Sequence, residues 1–325
     1  MLRVEGGSWL IPWTPGKRRE WPQTVRRHSR GLQDLRDGLS GLTFAMNKIN
    51  QFTAIVLAAD RATGDPVATK AGVACKAFAP IYGTPMIIRV LDALEASDMV
   101  KTIIVCGPPK SALPGCPELE RRIASGRVSW LPNLDSPSRS ANSGLAHIDQ
   151  NAPVLLTTAD HALLTSPIVR YFLGESQKAG SDATVGVVKY EDVAAAFPGA
   201  KRTVIRLQDG GVCGCNLYAF INSRGRGLVS FWQRAEDLRK RPWLLIGQTF
   251  GFKAVFLYLL GLLTLARGLK AVTARTGIEV QPVFLPFPQA GVDVDKVEDM
   301  LLVESVLAGA MPLAQEKTDS PDPFP

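Results

Sequence analysis

From residue 53 onward, short apolar runs alternate with segments of helical length, and this alternation limits the possible folds of the 325-residue chain severely. The runs 54–58, 102–106, Val128–Leu131, Val154–Thr158 and 184–188 are apolar over most of their length. Between them, residues 85–96, 118–124, 141–148 and 166–175 read as helices, the first with Pro85 in its opening turn. Strands that are apolar throughout must be covered on both faces. The pattern therefore predicts an α/β fold, a three-layer, mostly parallel sheet with helices on both sides. Residues 203–207 and 216–221 flank a loop holding Asp209-Gly210-Gly211 and predict an antiparallel strand pair. A helical insertion is expected over 226–274, then a strand near 279–284 and a last helix over Val297–Leu307.

Composition narrows the class further. Apolar residues make up 46% of the chain and charged residues 21%, which excludes disordered, collagen-like and coiled-coil chains. Thirty-seven Lys and Arg against thirty Asp and Glu give a formal charge of +7. Much of the excess lies in residues 1–45, at Arg3, Lys17, Arg18, Arg19, Arg26, Arg27, Arg30 and Arg36. This stretch lacks periodicity and reads as a flexible basic arm, or as the product of a start assigned upstream of Met46. Its Trp9, Trp13 and Trp21 stand among bases without a recognition motif, so nucleic-acid binding is not expected. Five scattered cysteines suit a reducing cytoplasm rather than a disulfide framework. Cys213-Gly214-Cys215 lacks the second ligand pair that a zinc site needs. Residues 46–312 are expected to form one domain, and 313–325 a disordered tail.

Ligands of open α/β sheets bind beyond the carboxyl ends of the strands. The first such loop reads Leu57-Ala58-Ala59-Asp60-Arg61, then Gly64-Asp65-Pro66, with Lys76 shortly before Tyr82-Gly83-Thr84-Pro85-Met86. Small residues admit a phosphate chain to the backbone, and Arg61 and Lys76 supply positive charge. Taken alone, the loop also fits a solvated surface turn. Ser138-Arg139-Ser140-Ala141-Asn142-Ser143-Gly144 opens a helix and by itself fits a serine cap. Asp160 follows the buried run Val154–Thr158, where a carboxylate suits Mg2+ or a simple turn. Finally, Asp293-Val294-Asp295-Lys296-Val297-Glu298-Asp299 precedes the last helix, where Asp295 could equally be a cap.

In this order the four motifs resemble those of the molybdenum-cofactor guanylyltransferase-like nucleotidyltransferases, over roughly residues 52–222 and 278–307. Lys76, Gly83, Pro85 and Met86 match that family's lysine and its turn into a helix. Asp60 stands where a glycine is usual, and Arg61 comes early. The resemblance implies a GT-A-like, Rossmann-like enzyme that uses Mg2+ to move a nucleoside monophosphate from a nucleoside triphosphate to a phosphorylated small-molecule acceptor, releasing pyrophosphate. It assigns Leu57, Ala58, Ala59, Ser140, Asn142 and Ser143 to the nucleotide and Arg61 and Lys76 to the triphosphate. Lys189 falls to the acceptor phosphate, and Asp160 with Asp293 or Asp295 to Mg2+. A GT-A glycosyltransferase using a nucleotide-sugar would share the sheet and metal carboxylate but would not need the Arg61/Lys76 pair. Asp60 in the glycine position motivates a third reading, a non-catalytic scaffold.

The apolar run 252–266 lies outside the resemblance. Its residues cover nearly all sides of a helix, yet 254–266 would span only about 20 Å, short of a ~30 Å hydrocarbon core. The run fits a helix within a core or a homodimer interface. It also fits a peripheral contact at the inner face of the membrane, with Lys253, Arg267 and Lys270 toward anionic headgroups.

Overall fold

The computed structural model describes residues 51–58, 64–237 and 256–309. In chain order, β1 (Phe52–Leu57) leads to α1 (Pro66–Ala71), the small ribbon β2 (Pro80–Ile81) and β3 (Thr84–Pro85), and α2 (Met86–Glu95). There follow β4 (Val100–Cys106), α3 (Pro117–Ala124), β5 (Val128–Leu131), α4 (Pro137–Leu145), β6 (Val154–Thr158) and α5 (Ser166–Lys178). The second half holds β7 (Ala183–Lys189), α6 (Tyr190–Ala196), β8 (Ile205–Leu207), β9 (Gly210–Phe220), α7 (Gly227–Asp237), α8 (Leu265–Thr276), β10 (Val280–Phe284) and α9 (Val297–Leu307).

The main sheet runs β10-β7-β9-β6-β1-β4-β5, with β8 beside the start of β9. β1 pairs in parallel with β4 and β6, β4 with β5, and β7 with β10. β9 runs against its neighbours β6, β7 and β8. Alternation along β1 builds the layers: Phe52, Ala54 and Val56 enter one core with residues of α2 and α5, while Ile55 meets Ala141 of α4 and Val229 of α7 in another. After β5 the chain returns to the far side of β1 as β6. The crevice at this reversal lies between the carboxyl ends of β1 and β6, which are tied by the Ala159 amide donating to the Leu57 carbonyl at 2.9 Å.

The expected α/β architecture is the observed one, and Val128–Leu131, Val154–Thr158 and Val297–Leu307 agree to the residue. Three local differences have clear causes. The helix α4 starts at Pro137 rather than 141 because the Ser136 hydroxyl accepts from the Arg139 amide. An unanticipated α1 forms because the Asp65 carboxylate accepts from the Val67 and Ala68 amides, with Pro66 first in the helix. The strand after Asp209 begins at Gly210 rather than 216, so its β8 partners are Gly210–Val212.

The single helix expected over 252–266 is also corrected. Residues 252–255 lie outside the described residues, and the helical turn at 256–259 stops at Gly261 (φ 69°). There the Gly261 amide donates to the Tyr258 carbonyl and the Leu262 amide to that of Leu257, a closure that needs a left-handed residue. Thr264 then caps α8 by accepting from the Arg267 amide. The basic arm, Ala59, Arg61, residues 238–255 and the tail lie outside the described residues too. Among the described residues, no helix is long and apolar enough to cross a membrane.

Among the described glycines, the closest backbone approach is at the junction before α7. A Cβ on Gly225 would sit 2.1 Å from the Asp182 carbonyl oxygen, which itself accepts from the Ile221 amide. Gly225→Ala should therefore destabilise the fold by about 2 kcal/mol, read as a lower urea midpoint at unchanged denaturant slope.

Candidate active site

Lys76 opens a single 3-10 turn, Lys76–Phe78, and reaches across the crevice. Its Nζ lies 2.8 Å from Asp160 Oδ2 and 3.2 Å from Asp295 Oδ1. Asp160 stands just past β6, and Asp295 on the segment entering α9. The Val294 amide donates to the Asp160 carbonyl at 3.0 Å, which fixes the two loops against each other. The side chains of Lys76 and Asp160 are each only 13% exposed, that of Asp295 42%.

Electrostatics follow from this enclosure. Burial works against the Asp160 charge, but the Lys76 ammonium outweighs it and holds the carboxyl below the usual range. Burial likewise opposes the Lys76 charge, and the carboxylates of Asp160 and Asp295 lift its pKa regardless. His161 is fully buried, and burial pushes its imidazole down to about 4, so it adds no positive charge at neutral pH.

Asp293 is held differently. Its Oδ1 accepts from Arg202 Nη1 at 3.0 Å and its Oδ2 from Asn216 Nδ2 at 3.2 Å. Arg202, with only 4% of its side chain exposed, also donates to the Asp293 carbonyl and pairs with Asp299 at 2.5 Å. The other Asp299 oxygen accepts from the amides of Asp295 and Lys296 and so caps α9. Burial and the nearby charges of Asp160 and Asp295 raise the Asp293 carboxyl, even beside Arg202. Neither Arg202 nor Asn216 stood out in the sequence. Arg202 follows an ordinary Pro-Gly-containing loop, and Asn216 sits mid-strand with φ 51°, a conformation asparagine tolerates better than most.

A divalent cation would suit Asp160 and Asp295. Asp160 Oδ1 is buried without a hydrogen-bond partner, and the Lys76 ammonium already stands between the two carboxylates as a cation. Both oxygens of Asp293, by contrast, are taken. Among the described residues, no group of three or more His, Cys, Asp and Glu side chains is arranged to hold a metal, but Mg2+ commonly uses one or two carboxylates and completes its shell with phosphate and water. Beside this pair opens a cavity of about 1000 Å³, whose wall includes Lys201, Arg202, Asn216, Asp293, Asp295 and Lys296.

The remaining sequence candidates are spread more widely. Leu57 ends β1 at the crevice and Ala58 follows it, its amide donating to the Cys106 carbonyl. On α4 the Ser140 hydroxyl accepts from the Leu134 amide and donates to the Ser136 carbonyl, bracing the preceding loop. Asn142 Nδ2 donates to Gln233 Oε1 of α7 at 2.6 Å, and Ser143 is half-buried on the same helix. Lys189 is 60% exposed at the end of β7, with Glu191 Oε1 at 3.8 Å, and does not join the Lys76 cluster. Thus Lys76, Asp160, Asp293 and Asp295 come together, while Asn142 and Lys189 contact other groups.

Residues 54–279 match the model of the MobA-like NTP transferase domain. A hypothetical transferase structure from Thermus thermophilus is 31% identical, with a TM-score of 0.64, the match covering 77% of this chain and 99% of that one. A 4-diphosphocytidyl-2C-methyl-D-erythritol synthase from Anaerococcus prevotii is 12% identical over 81% of this chain and 99% of its own, with a TM-score of 0.48. A comparison with curated proteins gives no match.

Removing Lys76 leaves Asp160 charged and enclosed. Lys76→Ala should cost about 3 kcal/mol of stability at neutral pH. A carboxyl depressed in the fold stabilises above its ordinary value of 3.8 and loses that as pH falls through its folded value. Lys76, being raised, contributes until pH climbs past 10.5. The gap between wild type and variant should thus be full near neutrality and close in acid. Added Mg2+ should raise the melting temperature of the variant more than that of the wild type.

Proposed function

The chain belongs to the MobA-like NTP transferase family and is a nucleotidyltransferase; we propose that it moves a nucleoside monophosphate from a nucleoside triphosphate to a phosphorylated small-molecule acceptor, with Mg2+ and with release of pyrophosphate. The observation that carries this reading is the Lys76 ammonium held between Asp160 and Asp295 at the crevice where the strand order reverses. An acceptor phosphate oxygen would attack the α-phosphorus in line, forming one P–O bond as the bond to pyrophosphate breaks. Such a step asks the protein for positioning and for cancellation of phosphate charge, with little covalent help.

Asp160 and Asp295 are assigned to the metal, which supplies charge neutralisation at the phosphate oxygens when bound. Lys76, released from the carboxylates, would turn its ammonium to the triphosphate, with Arg61 as its partner there. Leu57, Ala58 and Ala59 are assigned to the phosphate chain, and Ser140, Asn142 and Ser143 to shaping the nucleotide side. The cavity beside Asp295 is the natural place for the acceptor, and Lys201 and Lys296 on its wall suit an acceptor phosphate better than the separate Lys189. Asp293 is assigned to support: with Arg202 it holds the segment that carries Asp295.

The reading is tested by offering each nucleoside triphosphate with Mg2+ and a panel of phosphorylated polyols and sugars. Pyrophosphate should form only when triphosphate and the right acceptor are both present. Release of a nucleoside diphosphate from nucleotide-sugars instead would mean a glycosyltransferase.

Two substitutions divide the acidic residues. Asp160→Asn and Asp295→Asn should each lower turnover by a hundredfold or more, as expected when about 3 kcal/mol of charge stabilisation is lost. Asp295→Asn, at a partly exposed site, should leave the melting temperature nearly unchanged. Asp293→Asn should instead act through the buried Arg202 and show mainly as lower stability. Near-native turnover in Asp295→Asn would reverse the two assignments.

A further inference from the structure

Of the large apolar side chains exposed among the described residues, five fall within one short turn. Phe256, Tyr258, Leu259, Leu260 and Leu262 are 62, 45, 77, 54 and 43% exposed. Scattered exposed apolar residues are ordinary on a protein surface, but a contiguous group marks a contact.

The turn is fixed at its base. Gln208 donates its amide to the Leu263 carbonyl, the Asp209 carboxylate accepts from the Leu265 amide at 3.2 Å, and Arg267 Nη1 donates to the Leu262 carbonyl at 3.0 Å. The apolar side chains thus stand outward from a segment anchored on the β8–β9 turn. The helix that follows, α8, has no buried residue. Between 256 and 278 the chain carries Arg267, Lys270 and Arg275 and neither Asp nor Glu.

We propose that residues 256–275 dock the enzyme on an anionic lipid bilayer, the apolar turn entering the headgroup boundary and the bases of α8 meeting lipid phosphates. Charge chooses this occupant. A second copy of the chain would bring the same cations to the contact, whereas an anionic bilayer offers both an apolar layer and the opposite charge. The register adds direction. Lys189 pairs with Val212 and Val188 with Cys213, so the β8–β9 turn lies at the carboxyl end of β7, the end of the sheet at which β6 delivers Asp160. The surface would therefore hold the carboxyl end of the sheet, with its cavity, close to the bilayer. This inference concerns where the protein sits and stands apart from the reaction proposed above.

The test is co-sedimentation of the full chain with vesicles of phosphatidylcholine alone or with about a third phosphatidylglycerol. The protein should pellet with the anionic vesicles at low salt, stay in the supernatant with neutral ones, and be released by high salt. Lys270→Gln with Arg275→Gln should weaken binding about twenty-five-fold, roughly five-fold per base. Leu259→Glu with Leu260→Glu should abolish it while leaving the melting temperature and elution volume unchanged. Wild-type protein that stays in the supernatant at low salt overturns the proposal, as does undiminished binding by either double variant. If the glutamate variant aggregates, the charge variant decides alone. A dimer seen by light scattering and dissolved by the glutamates, with no vesicle binding, would make the patch a contact between copies.

Discussion

A carboxylate as enclosed as that of Asp160 keeps its charge only with a cation against it, and Lys76 supplies one from 84 residues away in the chain. Asp295, 219 residues from Lys76, completes the cluster. Much of the crevice follows from this requirement. The first loop must bring Lys76 inward, β6 must end where Asp160 can meet it, and the segment before α9 must turn back over both. The Val294–Asp160 backbone bond and the Asp299 cap are the means by which that last segment is held. A cluster of one ammonium between two carboxylates is also poised for exchange. In the proposed reaction a triphosphate arriving with a divalent ion would offer each of these charges a partner of the opposite sign, so little unpaired charge need be buried along the way.

Arg202 solves the complementary problem. Its guanidinium is almost wholly enclosed, and Asp293 and Asp299 together neutralise it. That use of Asp293 separates two acids that the sequence leaves equivalent. Arg202 and Asn216 occupy both oxygens of Asp293, while the Asp295 side chain stays half-exposed and meets the Lys76 ammonium. Hydrogen-bond capacity, more than position in the motif, therefore distinguishes a holding acid from one free to take a ligand.

The parts of this arrangement visible in the sequence are those written in local pattern. Near-continuous apolar runs specify the layers and place Asp160 just past one of them, while the resemblance of the motif order to the nucleotidyltransferases marks Lys76 and the Asp293–Asp295 pair. What was hidden depends on contacts distant in sequence. Nothing near Arg202 announces burial, because its partners come from the far end of the chain. Ser140 looked available, yet its hydroxyl is captured by its own helix start, a competition that serines at such positions commonly win. At 252–266 the local signals were present: Gly261 and Thr264 are an ordinary stop and start. Apolar composition, which is silent about where a helix ends, masks them.

The antiparallel strand β9 ties these features into one arrangement. Its Tyr218–Phe220 end pairs with β6, while the stretch Gly210–Asn216 continues beyond, Val212–Gly214 along the carboxyl end of β7 and Gly210–Val212 along β8. This overhang places Gly214 and Asn216 on the cavity wall and brings Asn216 to Asp293. The same overhang ends in the β8–β9 turn, whose Asp209 caps α8 and whose Gln208 holds Leu263. A shorter β9, ending level with β6, would leave neither a wall for the cavity nor a base for the apolar turn. One strand's extra length therefore couples the chemistry at the crevice to the surface beside it, and a change in β9 register by one residue would turn Asn216 to the opposite face and disturb both.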